Sequence, residues 1–367
     1  MKNQAMINVA KADLPTLKEY NYFLKKIWKS HWLTNNGQLV QDFQKQLGKY
    51  LNVDYVIPVA NGTLALQIAI KALGLKGEVI TTPFTFVASS SALIWENCTP
   101  VFADIDPNTY NIDPVDVEKK ITKNTTAILA VHVYGNPCEV KKLERLASKY
   151  HLKIIYDAAH AFGVEFNNQS ILNFGDISTL SFHATKTFHT IEGGAIITKD
   201  KKMYEKIKLL INFGIRSEDE VIFPGINAKM NEFQAAMGLC NLKKIEERIT
   251  KRKKIYIHYL ETLKDTNIKF QKIVASKFNY TYMPIVLRDN KTRDILYEKL
   301  IKKNIKARKY FYPLITDLDF YKELNLNKKI NLINSKYIAN RILCLPVYSS
   351  LSVRDVNRVI SVVRDVI

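Results

Sequence analysis

The chain reads Lys153-Ile154-Ile155-Tyr156-Asp157-Ala158-Ala159-His160 and, after an intervening loop, Ser178-Thr179-Leu180-Ser181-Phe182-His183-Ala184-Thr185-Lys186. Each stretch opens as an apolar run of strand length and leads into a group able to do chemistry. An acid ending a buried strand and a lysine on a later loop form the pair that pyridoxal phosphate chemistry requires. The lysine amine holds that cofactor as a Schiff base and is released to move protons. The carboxylate keeps the pyridine nitrogen protonated, so that the ring accepts carbanion electrons. Taken singly, each residue has an ordinary explanation. A lysine near Glu192-Gly193-Gly194 is a solvated loop charge, and an aspartate after a strand is a helix cap.

Outward from this pair, short apolar strands alternate with amphipathic helices. Strands are expected at Glu78 to Thr81, Pro100 to Ala103, Thr126 to His132, Lys153 to Asp157, Ser178 to Phe182 and Ala195 to Thr198. Helical patterns fall around Leu39 to Leu51, Leu64 to Leu73, Phe86 to Trp95, Val115 to Ile121 and Lys141 to Tyr150. The alternation predicts an α/β domain with a mainly parallel sheet, whose ligand crevice lies at the carboxyl ends of the strands. From about Asn231 the pattern becomes one long charged helix through Arg252, then a strand at Tyr280 to Leu287 and a helix at Asp294 to Lys303. This predicts a large domain over residues 1–245 and a smaller C-terminal α+β domain over 246–367.

With 367 residues, 47% of them hydrophobic, the chain has enough apolar surface for a large core. It contains no apolar run of membrane-spanning length and opens without a signal-peptide pattern, so a cytoplasmic protein is expected. Cys98, Cys138, Cys240 and Cys344 are scattered, without Cys-x-x-Cys spacing or a histidine cluster. That argues against a disulfide framework and against a metal site. The net charge of +19 is mostly lysine spread along helices, without an aromatic-basic module, so no nucleic-acid partner is expected. Such a charge suits the attraction of a phosphorylated substrate.

Several further stretches carry chemistry. Asn61-Gly62-Thr63 places a glycine and a hydroxyl at a helix start, where free N–H groups favour a phosphate, and Ser181 stands ready as a second donor. Phe86, in Pro83-Phe84-Thr85-Phe86, emerges after a strand and offers a ring to stack on a pyridine. His160, three residues after Asp157, is placed to meet a ring hydroxyl. Each also reads as a cap, a core aromatic or a satisfied histidine.

In one order along the chain, Asn61 to Leu66, Pro83 to Phe86, Asp104-Ile105-Asp106, Val131-His132-Val133-Tyr134-Gly135, Asp157 to His160, Ser181 to Lys186 and Gly225 to Glu232 resemble the DegT-type sugar aminotransferases. These are fold-type I, pyridoxal-phosphate-dependent enzymes acting on nucleotide-linked keto sugars. The resemblance implies that Lys186 carries the cofactor and Asp157 pairs with its ring nitrogen. His160 stands where many members have Gln. It also implies that Gly62, Thr63 and Ser181 bind the cofactor phosphate and that Phe86 stacks on the ring. Asn227 would reach the phosphate from the neighbouring subunit, making a homodimer with shared active sites. His189, Arg308, Tyr310 and Tyr312 fall where substrate contacts are expected.

The same resemblance implies transfer of an amino group from L-glutamate to a keto sugar. Relatives with His in place of the lysine dehydrate instead, so Lys186 favours transfer. Trp32-Leu33-Thr34-Asn35-Asn36-Gly37 together with Phe188-His189-Thr190 points to members that aminate carbon 4 of a dTDP-4-keto-6-deoxyhexose. The product would be dTDP-4-amino-4,6-dideoxyglucose, a precursor of surface polysaccharides such as the O-antigen of lipopolysaccharide. Gln38 stands where that pattern expects Pro. Amination of the 3-keto isomer is the first alternative. A nucleotide-sugar dehydratase follows, and then a pyridoxal-phosphate-binding regulator, for which no DNA-binding extension is visible.

Overall fold

The computed structural model describes residues 5–324 and 331–367. Helices α1 (Leu17–Ser30) and α2 (Gln38–Leu51) precede β1 (Tyr55–Val59), α3 (Gly62–Leu73), β2 (Gly77–Thr81), α4 (Ala88–Trp95) and β3 (Cys98–Phe102). Next come α5 (Pro114–Lys120), β4 (Thr125–Val131), α6 (Val140–Tyr150) and β5 (Lys153–Asp157). A small hairpin, β6 (Glu165–Phe166) with β7 (Gln169–Ser170), leads to β8 (Ile177–Ser181), β9 (Gly194–Thr198) and α7 (Lys201–Leu210). A second hairpin, β10 (Ile215–Ser217) with β11 (Glu220–Val221), leads to α8 (Glu232–Leu242) and α9 (Ile245–Leu263). The remainder comprises β12 (Lys269–Phe270), β13 (Met283–Val286), α10 (Asn290–Lys302), α11 (Asp319–Glu323), α12 (Ile333–Ala339), β14 (Ile342–Leu345) and α13 (Val353–Arg364).

The large sheet has the order β1-β9-β8-β5-β4-β2-β3 and is parallel apart from β9, which runs against both its neighbours. Its strands are apolar throughout because both faces are covered. Along β4, Ile128 and Ala130 join one core, while Ala127, Leu129 and Val131 join the other. Along β5 the same alternation sends Ile154 and Tyr156 one way and Ile155 the other. All six strands expected for the large sheet are present within two residues of their expected ends, and the strand expected at Tyr280 to Leu287 is the shorter β13. β12, β13 and β14 form a separate antiparallel sheet in the C-terminal part.

The expected single helix from Asn231 through Arg252 is two helices, α8 and α9, broken at Lys243 and Lys244. Asn231 caps the first through a capping box with Gln234. Glu232, the next residue, is 2% exposed and turns away from its own helix. Its carboxylate accepts the N–H groups of Leu39 and Val40, each at 2.9 Å, at the start of α2. The residue before α2 is Gly37, which has no side chain to cap with. Negative charge there is favourable because the helix dipole and unpaired N–H groups converge on it.

The stretch before α1 crosses to the C-terminal part, where Ile7 bridges Ile305 and the Val347 N–H donates to the Val9 carbonyl. Asp13 ends this crossing in a buried polar network. Arg252 of α9 lies 3.6 Å from its carboxylate, and the Ser349 hydroxyl donates to it. The Asp13 carbonyl meets His189 Nε2 at 2.9 Å. The Asn241 amide donates to the His189 carbonyl, and Arg248 donates to Asn241.

Candidate active site

The carboxyl ends of β1, β8, β5, β4 and β2 open onto a cleft of about 290 Å³. Lys186, Asp157 and His160 line it, with Gly62, Thr63, Ser181 and Phe86, and Arg308 and Tyr310 reach it from the C-terminal part. A larger groove of about 1050 Å³ lies between α2, β1 and α7 and contains neither Lys186 nor Asp157.

The corner at the start of α3 is built by close approach. Asn61 accepts the Leu64 N–H at 2.9 Å and starts α3, which leaves Gly62 and Thr63 at the cleft edge. A Cβ on Gly62 would lie 2.8 Å from the Ser181 Cβ, so only glycine lets the start of α3 meet the end of β8. Gly194 is equally constrained, because a Cβ there would lie 2.7 Å from the Asn61 and Leu180 carbonyls. This accounts for one glycine of the Glu192-Gly193-Gly194 stretch.

Asp157 is buried at the end of β5. One carboxylate oxygen accepts the Ser89 hydroxyl at 2.8 Å, and the other accepts the Ala159 N–H at 3.0 Å. Burial pushes this acid above the usual carboxylate range, opposed by the Ser89 bond, the Ala159 bond and the charge of Lys186. Burial likewise lowers Lys186 from 10.5 to about 8, with Asp157 acting to raise it and Arg308 to lower it further. His160 is kept neutral, first by burial and then by the nearby positive charges of Lys186 and Arg308. Its Nδ1 accepts the Tyr134 N–H at 3.3 Å, and its ring stacks against Phe311.

The lysine loop is pinned beneath by aromatic rings. Phe188 stacks on Phe162 with centroids 4.3 Å apart and meets Phe182 edge-on. Phe188, His189 and Thr190 are all buried, and none lines the cleft. His189 therefore sits in the Asp13 network rather than among the cleft residues. Tyr312 is 43% exposed and covered by the Arg293 guanidinium, 4.4 Å from its ring, also outside the cleft. Asn227 is exposed and lies outside the cleft of its own chain. Asn35 and Asn36 adopt positive φ angles of 60° and 57° in the turn before α2, and both line the larger groove.

Sequence reasoning passed over Thr85, Ser89, His183 and Glu192, which line the cleft. Small hydroxyl residues beside a helix start read as caps, so nothing in the sequence singled out Thr85 or Ser89. Asp104, a residue of the resemblance, accepts the Asn334 and Ser335 N–H groups at 2.8 and 2.7 Å and caps α12 across the molecule. Among the described residues no His, Cys, Asp or Glu cluster could hold a metal ion. No described helix is long and apolar enough to cross a membrane, and the four cysteines are buried and unpaired.

An α/β sheet carrying a lysine opposite a buried acid, with a smaller α+β part closing the cleft, is the architecture of an aminotransferase. The chain belongs to the DegT/DnrJ/EryC1/StrS aminotransferase family, whose sequence profile matches residues 17–364. It is 44% identical to the dTDP-4-amino-4,6-dideoxy-D-glucose transaminase of Shigella dysenteriae, over 98% of this chain and 99% of that one. It is also 44% identical to the Escherichia coli enzyme of the same name, over 95% and 96% of the two chains. Among solved structures, DesI in the presence of its TDP-sugar product superposes with a TM-score of 0.92 at 32% identity, over 98% of this chain and 93% of that one.

Proposed function

We infer that this aminotransferase uses pyridoxal 5'-phosphate to move an amino group from L-glutamate to carbon 4 of a dTDP-4-keto-6-deoxyhexose. The product is dTDP-4-amino-4,6-dideoxyglucose, a building block for surface polysaccharide made in the cytoplasm. The observation that carries this reading is the sharing of one cleft by Lys186 and the buried, hydrogen-bonded Asp157. The 44% identity to transaminases of that name over nearly the whole chain supports the choice of carbon.

The cleft suits the cofactor. The glycine-demanding contact of Gly62 with Ser181 makes a cradle at a helix start for the phosphate, with Thr63 beside it. Phe86, 47% exposed, has a face free to stack on the ring, and Asp157 and His160 would meet the ring nitrogen and hydroxyl. When bound, pyridoxal phosphate supplies an electron sink and carries nitrogen between the two halves of the reaction.

Lys186 is the residue that moves the proton. With its amine at about 8, it is basic enough to take a proton from the substrate carbon and acidic enough to return one near neutral pH. Glutamate leaves as 2-oxoglutarate in the first half, and the sugar ketone takes the nitrogen in the second. Arg308 and Tyr310, stacked with the guanidinium 3.9 Å from the ring centroid, form the wall against which substrate rests. Asn227, exposed on its own chain, completes the phosphate site of a second copy in a homodimer.

The test is incubation with L-glutamate and the 4-keto and 3-keto isomers of the dTDP-linked deoxysugar, followed by NMR of the product. Nitrogen at carbon 4 is expected. Nitrogen at carbon 3 would establish the first alternative, and loss of a hydroxyl without gain of nitrogen would establish the dehydratase.

A further inference from the structure

The loop after β2 and the first turn of α4 carry Thr85, Phe86 and Ser89 in close succession. Phe86 projects into the cleft, while Thr85 and Ser89 are 4% and 1% exposed. The three serines at the start of α4 go different ways. Ser90 donates to the Val87 carbonyl and shares a 2.8 Å bond with the Tyr321 hydroxyl, and Ser91 lies 3.2 Å from that hydroxyl. Ser89 instead bonds Asp157, and its hydroxyl makes no bond to the helix backbone among the described residues. It is not serving as a helix cap.

We propose that Ser89, braced by Thr85, is the positioning residue that fixes the Asp157 carboxylate for its contact with the cofactor ring nitrogen. This rests on the pyridoxal phosphate reading of the cleft. An ionised carboxylate only accepts, so the single Ser89 proton goes to Asp157 at 2.8 Å. With that proton committed, the 3.1 Å contact between Ser89 and Thr85 is made by the Thr85 hydroxyl donating to the Ser89 oxygen. The relay therefore has one direction, Thr85 to Ser89 to Asp157, and it would reverse only if the acid were protonated on that oxygen. Hydrogen bonds to a charged group are the strong ones, and strongest where water is excluded. All three side chains are buried, and the other carboxylate oxygen is occupied by the Ala159 N–H. Burial works against charge on Asp157, and the Ser89 bond is the largest of the influences that oppose it. One turn thus sets both the ring face, through Phe86, and the ring nitrogen, through Ser89.

The experiment titrates cofactor-free protein with pyridoxal phosphate and with its 1-deaza analogue, in which carbon replaces the ring nitrogen. Wild type, Ser89→Ala, Ser89→Thr and Thr85→Val are compared, with folding checked by circular dichroism. Ser89→Ala is expected to lose roughly tenfold to a hundredfold in affinity for pyridoxal phosphate, and less than about twofold for the analogue. Ser89→Thr keeps the hydroxyl and restores most of the affinity. Thr85→Val loses several-fold in the same direction, and it carries the test if Ser89→Ala fails to fold. Equal losses for both cofactors, or no loss, would overturn the proposal, since a merely structural role does not distinguish nitrogen from carbon. If wild type itself binds both cofactors equally well, the Asp157 assignment fails first and takes this proposal with it.

Discussion

Gly62 at the start of α3 and Ser181 at the end of β8 approach so closely that a Cβ on the first would stand 3.1 Å from the hydroxyl oxygen of the second and 3.2 Å from its Cα. The obstacle includes backbone, so it cannot swing aside. Gly62→Ala is expected to cost about 1–3 kcal/mol of stability by overpacking and to weaken retention of pyridoxal phosphate more than tenfold. Thermal unfolding and cofactor content after gel filtration measure both, and a variant that keeps its cofactor would count against the phosphate cradle.

Lys186 links folding to pH. Burial lowers its amine from 10.5 to about 8, so between these values the unfolded chain holds a proton that the folded, cofactor-free protein has released. The penalty on folding is full below about pH 8 and fades as pH climbs through that window, because the unfolded state binds more protons there. Lys186→Met removes the penalty. At neutral pH the cofactor-free variant should unfold at higher temperature than the cofactor-free wild type, and the gap should close toward pH 10.5. A gap that stays constant with pH would contradict the assignment.

The Glu232 carboxylate satisfies two N–H groups at the start of α2 from a distant point in the chain. Glu232→Ala leaves both donors unmatched and is expected to destabilise the fold by about 2–3 kcal/mol, with Glu232→Gln losing less. Denaturant unfolding reads the difference. Equal stability of Ala and wild type would show that water replaces the carboxylate at no cost.

Asn227 lies outside the cleft of its own chain, and the proposed dimer gives it work in the other. Lys186→Ala and Asn227→Ala should each abolish or severely reduce activity alone. Mixed after dissociation and reassociation, they should regain up to about a quarter of wild-type turnover, because half the dimers are mixed and each of those has one intact site. Mixtures no more active than the separate variants would show that Asn227 acts within its own chain.

The parts of this molecule that were legible in the sequence are those whose physics is local. Apolar runs of strand length with helical repeats between them marked six strands of the sheet, and the acid at a strand end with the lysine on a later loop marked the cleft. β1 was not among the expected strands; it carries Pro58, and it stands at the sheet edge, where a missing N–H is tolerated. The reversed direction of β9 was not readable, since alternation of side chains is the same in either direction. His189 looks like a substrate residue because it follows the lysine closely, but its partner Asp13 is 176 residues away. Glu232 and Asp104 were hidden in the same manner, each capping a helix remote in sequence.

The Asp13 network also bears on the order in which the molecule can be finished. Asp13 emerges from the ribosome early, but the Ser349 hydroxyl that donates to it arrives 336 residues later. Contacts of such separation are costly to close before the rest of the chain has folded around them. A chain ending after Lys186 lacks His189 as well as Arg252 and Ser349, so the network joining the segment after the lysine to Asp13 is incomplete. Completion of the Asp13 network therefore waits on the last part of the polypeptide.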